Sequence, residues 1–248
     1  ESSRYFSDAY YNDYRPMQNE ENAGSQKPDQ PDITVLTREQ AAALLPRSAT
    51  GPQYGYYWGG IDTTMRRLSV SLALGMLTVN VSNILAVPAG LYWLWSPVAL
   101  AARRNYAFRR YEFTGLWRAR VLRVKTAWVE ARPAGRDRGF DVWFGLTGAS
   151  SEGQVLRVLV GDDTGARVEL EVPYKREYRD IRVRDTAHLV VVSDTANMDR
   201  FRALREVYLP ETRVWISEYP FAERSVVLYI VDWIERQRQE RFYEERQM

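Results

Sequence analysis

Hydrophobic and polar positions follow three different patterns along this chain. From Leu68 to Ala102 there is no period at all: 35 consecutive residues carry no charge. Between residues 116 and 217 short runs alternate with a period near two. After Ala222 the apolar residues Val226, Val227, Ile230, Trp233 and Ile234 recur at helical spacing.

The uncharged run is long for one membrane span. A ~30 Å hydrocarbon core needs ~20 helical residues, and 35 would extend ~52 Å. Asn80, Ser82 and Asn83 interrupt the middle with turn-forming residues. The pattern therefore predicts a helical hairpin, Leu68–Val79 descending and Ile84–Ala102 returning, with a short first arm that is either spanning or re-entrant. Arg66 and Arg67 precede the run and Arg103 and Arg104 follow it. Arginine pairs at both ends fit a hairpin whose ends emerge on one face. Pro88 and Pro97 predict kinks in the returning arm. Tyr56, Tyr57 and Trp58 before the run, with Tyr92, Trp93 and Trp95 within it, read as aromatics of the membrane–water boundary. A buried pair of core helices is the alternative reading of the same run.

Upstream, Thr37 and Gln40 stand at capping-box spacing before Ala41–Leu45, which predicts a short helix ended by Pro46. Residues 1–36 read as irregular: seven acids against three bases, with few aliphatic residues. The aromatics Tyr5, Phe6, Tyr10, Tyr11 and Tyr14 are candidate partner contacts, with a plain disordered terminus as the equal alternative.

Downstream, Trp117–Val124, Phe140–Phe144, Val155–Val160, Ala166–Val172, His188–Val192 and Arg213–Ser217 read as short strands. Gly161-Asp162-Asp163-Thr164-Gly165 reads as the turn of a hairpin. The predicted fold is an α+β membrane protein: a helical transmembrane hairpin, then a small antiparallel β-barrel or sandwich, then a C-terminal helix. Five segments follow: 1–36, 37–65 (short helix and aromatics), 66–104 (hairpin), 105–220 (β-rich) and 221–248 (helix, amphipathic and then charged).

Charge and composition narrow the chemistry. Thirty-four basic residues balance 32 acidic ones, which argues against a nucleic-acid binder. Eight basic residues and one acid between Arg103 and Lys125 suit anionic lipid headgroups. There is no cysteine and one histidine, His188, so thiolate chemistry and multi-histidine metal sites are excluded. Asp163-Thr164-Gly165 is a tripeptide of aspartic proteases, but that chemistry needs two such carboxylates sharing a proton; one copy on a turn reads as a turn. Asp162 and Asp163 alone fall short of a calcium site. No catalytic residue, cofactor, metal or small-molecule substrate is expected. Glu1 stands where a translated chain has Met, and the expectation is a mature chain whose targeting segment has been removed.

Several aromatic-rich blocks in order carry a resemblance. Tyr56-Tyr57-Trp58-Gly59, Gly90-Leu91-Tyr92-Trp93-Leu94-Trp95-Ser96-Pro97, Arg109-Arg110-Tyr111, Gly115-Leu116-Trp117-Arg118-Ala119-Arg120-Val121, Val207-Tyr208-Leu209-Pro210 and Trp215-Ile216-Ser217-Glu218-Tyr219-Pro220-Phe221 resemble a membrane-protein family of cyanobacteria and chloroplasts. Its members often carry the label "phosphate ABC transporter permease". The resemblance covers about residues 37–235 and implies a plastid or cyanobacterial membrane setting. The resulting expectation is a non-enzymatic subunit or assembly factor of a chloroplast membrane complex, with other subunits and anionic headgroups as partners. The thylakoid is favoured over the inner envelope, and the β-rich part faces the stroma. A subunit of envelope import or protease machinery and a transporter component are the alternatives.

Overall fold

The computed structural model describes residues 11–13, 31–129 and 153–247. They fall into two compact units, interleaved along the chain. One gathers the described residues of 1–46, 108–125 and 156–248; the other holds those of 47–107 and 126–155.

The first unit is built on an eight-stranded antiparallel sheet, curled as a half-barrel. Its strands are β1 (Tyr11–Asp13), β2 (Ile33–Val35), β3 (Phe113–Val129), β4 (Gly153–Gly161), β5 (Arg167–Pro173), β6 (Thr186–Ser193), β7 (Arg202–Leu209) and β8 (Val214–Ser217). The order is β1-β7-β6-β3-β4-β5, with β2 also on β3 and β8 also on β7. The outer edge of β7 is shared: β1 takes Arg202–Leu204 and β8 takes Glu206–Leu209. The register of β6 on β7 shifts between Leu189 and Val191, an irregularity of the kind that increases local twist. A single curled sheet stands where a closed barrel or a sandwich was expected.

The interior follows from alternation along the strands. Trp117, Ala119 and Val121 of β3, Val168, Leu170 and Val172 of β5, and Leu189 and Val191 of β6 join one buried cluster. β6 is buried on both faces, for His188, Val190 and Val192 are also 3% exposed or less. The turn Asp162–Ala166 joins β4 to β5 and needs the positive φ of Gly165, +91°. Phe140–Phe144 lies outside the described residues.

Two helices complete this unit. Thr37 and Gln40 form the capping box of α1 (Arg38–Leu44). The long C-terminal helix, Arg224–Gln247, buries Val227, Ile230, Val231 and Ile234. Its buried stripe is shifted by about one residue from the predicted one, so Trp233 stays 45% exposed. The amide of Glu223 donates to the carbonyl of Leu44 at 2.9 Å, joining the start of that helix to the end of α1. Residues 1–36, read as irregular, contribute β1 and β2 to the sheet.

The second unit is helical apart from the end of β3 (residues 126–129) and the start of β4 (residues 153–155). α2 (Gly51–Trp58), α3 (Ile61–Val79), α4 (Asn83–Gly90) and α5 (Tyr92–Arg109) follow one another, the last residues of α5 belonging to the first unit. The C-terminal helix is therefore α6. The transmembrane hairpin predicted over 66–104 is overturned here. No single described helix is long and apolar enough to cross a membrane. The first turns of α3 hold Asp62, Arg66 and Arg67, leaving an apolar part of ~18 Å against a ~30 Å core. The returning arm is two helices, not one: α4 and α5 reach the length and apolar composition of a span only together, and they are bent by 70° at Leu91. Leu68–Ala102 is thus a three-helix assembly. The turn at Asn80–Ser82 is present, but a second break at the glycine end of α4 divides the expected long arm.

Candidate interaction surface

The helical unit has a polar base and an apolar end, and its sequence explains both. At the base, Asn105 of α5 donates Nδ2–H to Gln53 Oε1 at 2.8 Å and to the Ser48 carbonyl at 3.3 Å. Gln53 and Asn105 are 0% and 4% exposed, a buried amide pair with mutual partners. Gln53 Oε1 also accepts the Thr50 amide at 3.2 Å, opening α2. Arg67 is buried; its Nη1 donates to the Trp58 carbonyl at 3.5 Å, and burial lowers its pKa. Tyr92 beside it is pushed up, chiefly by burial. Arg104 Nη1 donates to Tyr57 Oη at 3.4 Å, and its guanidinium lies 5.9 Å from the Tyr56 ring centroid. Of the four flanking arginines, only Arg66 and Arg103 are exposed.

An aromatic rim follows. Trp58 stacks on Tyr54 at 5.3 Å and meets Trp93 at 5.7 Å between centroids. Tyr92 and Trp95 meet edge to face at 5.4 Å. The predicted boundary aromatics Tyr56, Tyr57, Trp58, Tyr92, Trp93 and Trp95 thus fall on α2 and the start of α5. Two hydrogen bonds hold the bend: the Trp93 amide donates to Ser71 Oγ at 2.7 Å, and the Trp95 indole N–H to the Pro88 carbonyl at 2.8 Å. Each satisfies a helix-end group that α4 or α5 leaves open.

Beyond Ser71 the unit is apolar and bare. Met76 and Leu77 are each 69% exposed, Val81 78% and Ile84 83%; Leu72, Leu85 and Val87 are also exposed. Between Leu72 and Trp95 no residue is buried. α3 and α4 pass close together at Gly75 and Gly90, where a Cβ on Gly75 would lie in ordinary contact with Gly90 Cα, at 3.4 Å. Of its few polar side chains, Thr78 Oγ1 donates to the Leu74 carbonyl at 2.7 Å and Asn80 Nδ2 to the Met76 carbonyl at 3.3 Å, while Asn80 and Asn83 stay exposed. An apolar face of this extent marks a surface made to be covered.

Among its described residues the β unit offers no comparable site. Asp162, on the turn with Asp163-Thr164-Gly165, is fully engaged: Oδ2 accepts the Trp117 indole N–H at 2.9 Å, and Oδ1 accepts from Thr164 N, Thr164 Oγ1 and Ala166 N at 3.0, 2.6 and 3.2 Å. It is a brace of the hairpin. No group of three or more His, Asp or Glu side chains is placed to hold a metal ion among the described residues. His188 is buried on the α6 side of β6, its Nε2 3.8 Å from Glu235 Oε1. Its pKa is pushed down to about 4 by burial and by the charges of Arg118 and Arg238. Glu206 of β7 is a buried carboxyl that the sequence did not announce. It accepts the Ala222 amide at 2.9 Å and Arg224 Nε at 3.3 Å, and burial pushes its pKa up to about 7. Arg224 in turn reaches Ser217 Oγ at 3.3 Å and lies over Trp215, 5.1 Å from its centroid. This cluster seats the start of α6. An open, mainly apolar groove of about 400 Å³ between α1 and α6 is lined by Ala43, Val226, Tyr229 and Ile230, with Glu39, Gln40 and Ser225 as its polar residues.

Of the N-terminal aromatics, Tyr11 stands in β1, opposite Leu204 of β7. Tyr5, Phe6, Tyr10 and Tyr14 lie outside the described residues.

A family model described as a family of unknown function, DUF8619, matches residues 34–238. The chain belongs to this family. The match takes in α1, the helical unit and the sheet from β3 onward, and ends within α6. The DUF8619 span therefore includes both the bare apolar end and the Glu206–Arg224 cluster. No curated protein matches the chain, and no solved structure matches it.

Proposed function

We propose that the chain is a non-enzymatic subunit or assembly factor of a membrane complex, seated there by the apolar end of its helical unit. The observation that carries this reading is the run of exposed large apolar side chains between Leu72 and Trp95, where no residue is buried and none is charged. Left in water, such a surface promotes aggregation, so it belongs against something apolar. The work of the chain on this reading is positional. The helical unit fixes where the protein sits, and the β unit, with its long charged helix, presents a rigid surface to other subunits.

The resemblance of the aromatic blocks supports a chloroplast setting, with the thylakoid preferred to the inner envelope and the β unit on the stromal side. The partners are other subunits of the complex and anionic headgroups.

Mild detergent extraction followed by size separation tests the reading. Tagged full-length chain should migrate with a large assembly and carry the same partner subunits in repeated purifications. Migration as a free monomer in every detergent would overturn it.

A further inference from the structure

We propose that the apolar end of the helical unit enters one leaflet of an anionic bilayer without crossing it, as far as the Ser71–Trp93 contact. This deepens the function proposed above by naming what covers the surface, and it rests on that reading.

The first argument is length. From Leu72 to Val79 the chain has eight residues of α3, or ~12 Å along the axis. One leaflet of a ~30 Å hydrocarbon core is ~15 Å deep. α4 returns beside α3, with Gly90 against Gly75, so both ends of the inserted segment leave on the side they entered. The 70° bend at Leu91 then turns α5 away. The inserted part has the depth of a leaflet and cannot reach the far one.

The second argument is the order of chemistries along the unit. Below Ser71 the large exposed side chains are apolar; Thr78 and Asn80 direct hydrogen bonds to backbone carbonyls of their own helix, as a medium without water favours, and the exposed amides are those of Asn80 and Asn83 at the turn and the start of α4. At the level of Ser71 and Trp93 stand Trp58, Trp93 and Trp95, aromatic side chains with a polar edge, suited to the headgroup boundary. Above it come the exposed cations Arg66 and Arg103, which complement anionic headgroups. An all-protein interface would carry about one hydrogen bond per 100–200 Å²; the bare surface offers almost none.

The absence of cysteine allows a single-site probe. Full-length chain with Val81→Cys, or separately Ile84→Cys, is labelled with an environment-sensitive fluorophore and mixed with phosphatidylglycerol or phosphatidylcholine vesicles. Tyr229→Cys on α6, 71% exposed, is the reference, and the melting temperature of each labelled chain verifies folding. On phosphatidylglycerol the labels at 81 and 84 should shift to the blue and be quenched several-fold more by nitroxides in the acyl chain than by headgroup nitroxides. A water-soluble quencher sealed in the vesicle lumen should leave them unaffected, and the label at 229 should not respond. Arg66→Glu with Arg103→Glu should weaken binding to phosphatidylglycerol about tenfold and leave the weak binding to phosphatidylcholine unchanged. No response on any vesicle would overturn the inference; if the chain still copurifies with its complex, a protein covers the surface and the broader reading stands. Quenching from the lumen would overturn it by showing passage through the bilayer.

Discussion

The backbone amide of Trp93 donates to the hydroxyl of Ser71 at 2.7 Å, across 22 residues of sequence. This bond joins the middle of α3 to the first turn of α5, and it marks where the helical unit changes from packed and polar to bare and apolar. Ser71 is fully buried, so water is not at hand to replace it.

Ser71→Ala should therefore leave the Trp93 amide without a partner and cost about 1–3 kcal/mol. Ser69→Ala is the comparison: its hydroxyl bonds only the Met65 carbonyl of its own helix at 3.0 Å, and its loss should change stability by less than about 0.5 kcal/mol. Hydrogen exchange at the start of α5 and thermal melting check both; equal effects would mean the cross-helix bond contributes nothing special.

Asp162→Ala should cost on the order of 2–4 kcal/mol, because one carboxylate holds the Trp117 indole and three donors of the hairpin turn. Asp163→Ala, exposed beside it, should fall within about 0.5 kcal/mol of the parent. Chemical denaturation of the two variants side by side checks the contrast.

Glu206 and His188 predict opposite dependences on pH. Glu206 is raised from 4.5 to about 7, since Arg224, 41% exposed, only partly offsets the burial of a carboxyl 1% exposed. Its folded form binds the proton more tightly than the unfolded chain. That stability is fully present below pH 4.5 and is lost as pH rises through about 7. Glu206→Gln should remove this loss, so its stability relative to the parent should rise by about 2–3 kcal/mol between pH 5 and 8. Melting curves over that range decide; a difference independent of pH would show Glu206 ionised throughout.

His188 is lowered from 6.5 to about 4, so its stability is present above pH 6.5 and is lost as pH falls toward 4. His188→Asn should flatten the decline over that window relative to the parent. Denaturant midpoints measured from pH 7 down to 4 check it.

Met76→Glu combined with Ile84→Glu places charge on side chains 69% and 83% exposed. The fold loses no packing there, and the melting temperature should move by no more than about 2 °C. Recovery in the membrane fraction should drop at least severalfold. A large loss of stability would instead mean that these side chains are packed within the chain itself.

The local signals in the sequence were strong where one residue type has one use. Thr37 and Gln40 announced the capping box; Gly161–Gly165 announced the turn; the alternation of Ala166–Val172 and the apolar run His188–Val192 announced β5 and β6. β7 escaped because Arg205 and Glu206 interrupt it, and both apolar faces of Arg202–Leu209 are covered, which erases the alternation. β1 and β2 are three residues each, too short for any period.

By itself the sequence determined that residues 68–102 form helices without charge, that a strand-rich region follows, and that the chain ends in a helix, because propensity and periodicity are local. Only the tertiary structure decided that the uncharged run is cut into three helices with a 70° bend, that Arg67 turns inward, and that Glu206 is buried beneath the start of α6. Those outcomes depend on which distant groups supply hydrogen bonds at the breaks, as Ser71 does for Trp93, and such partners leave no mark on the local pattern.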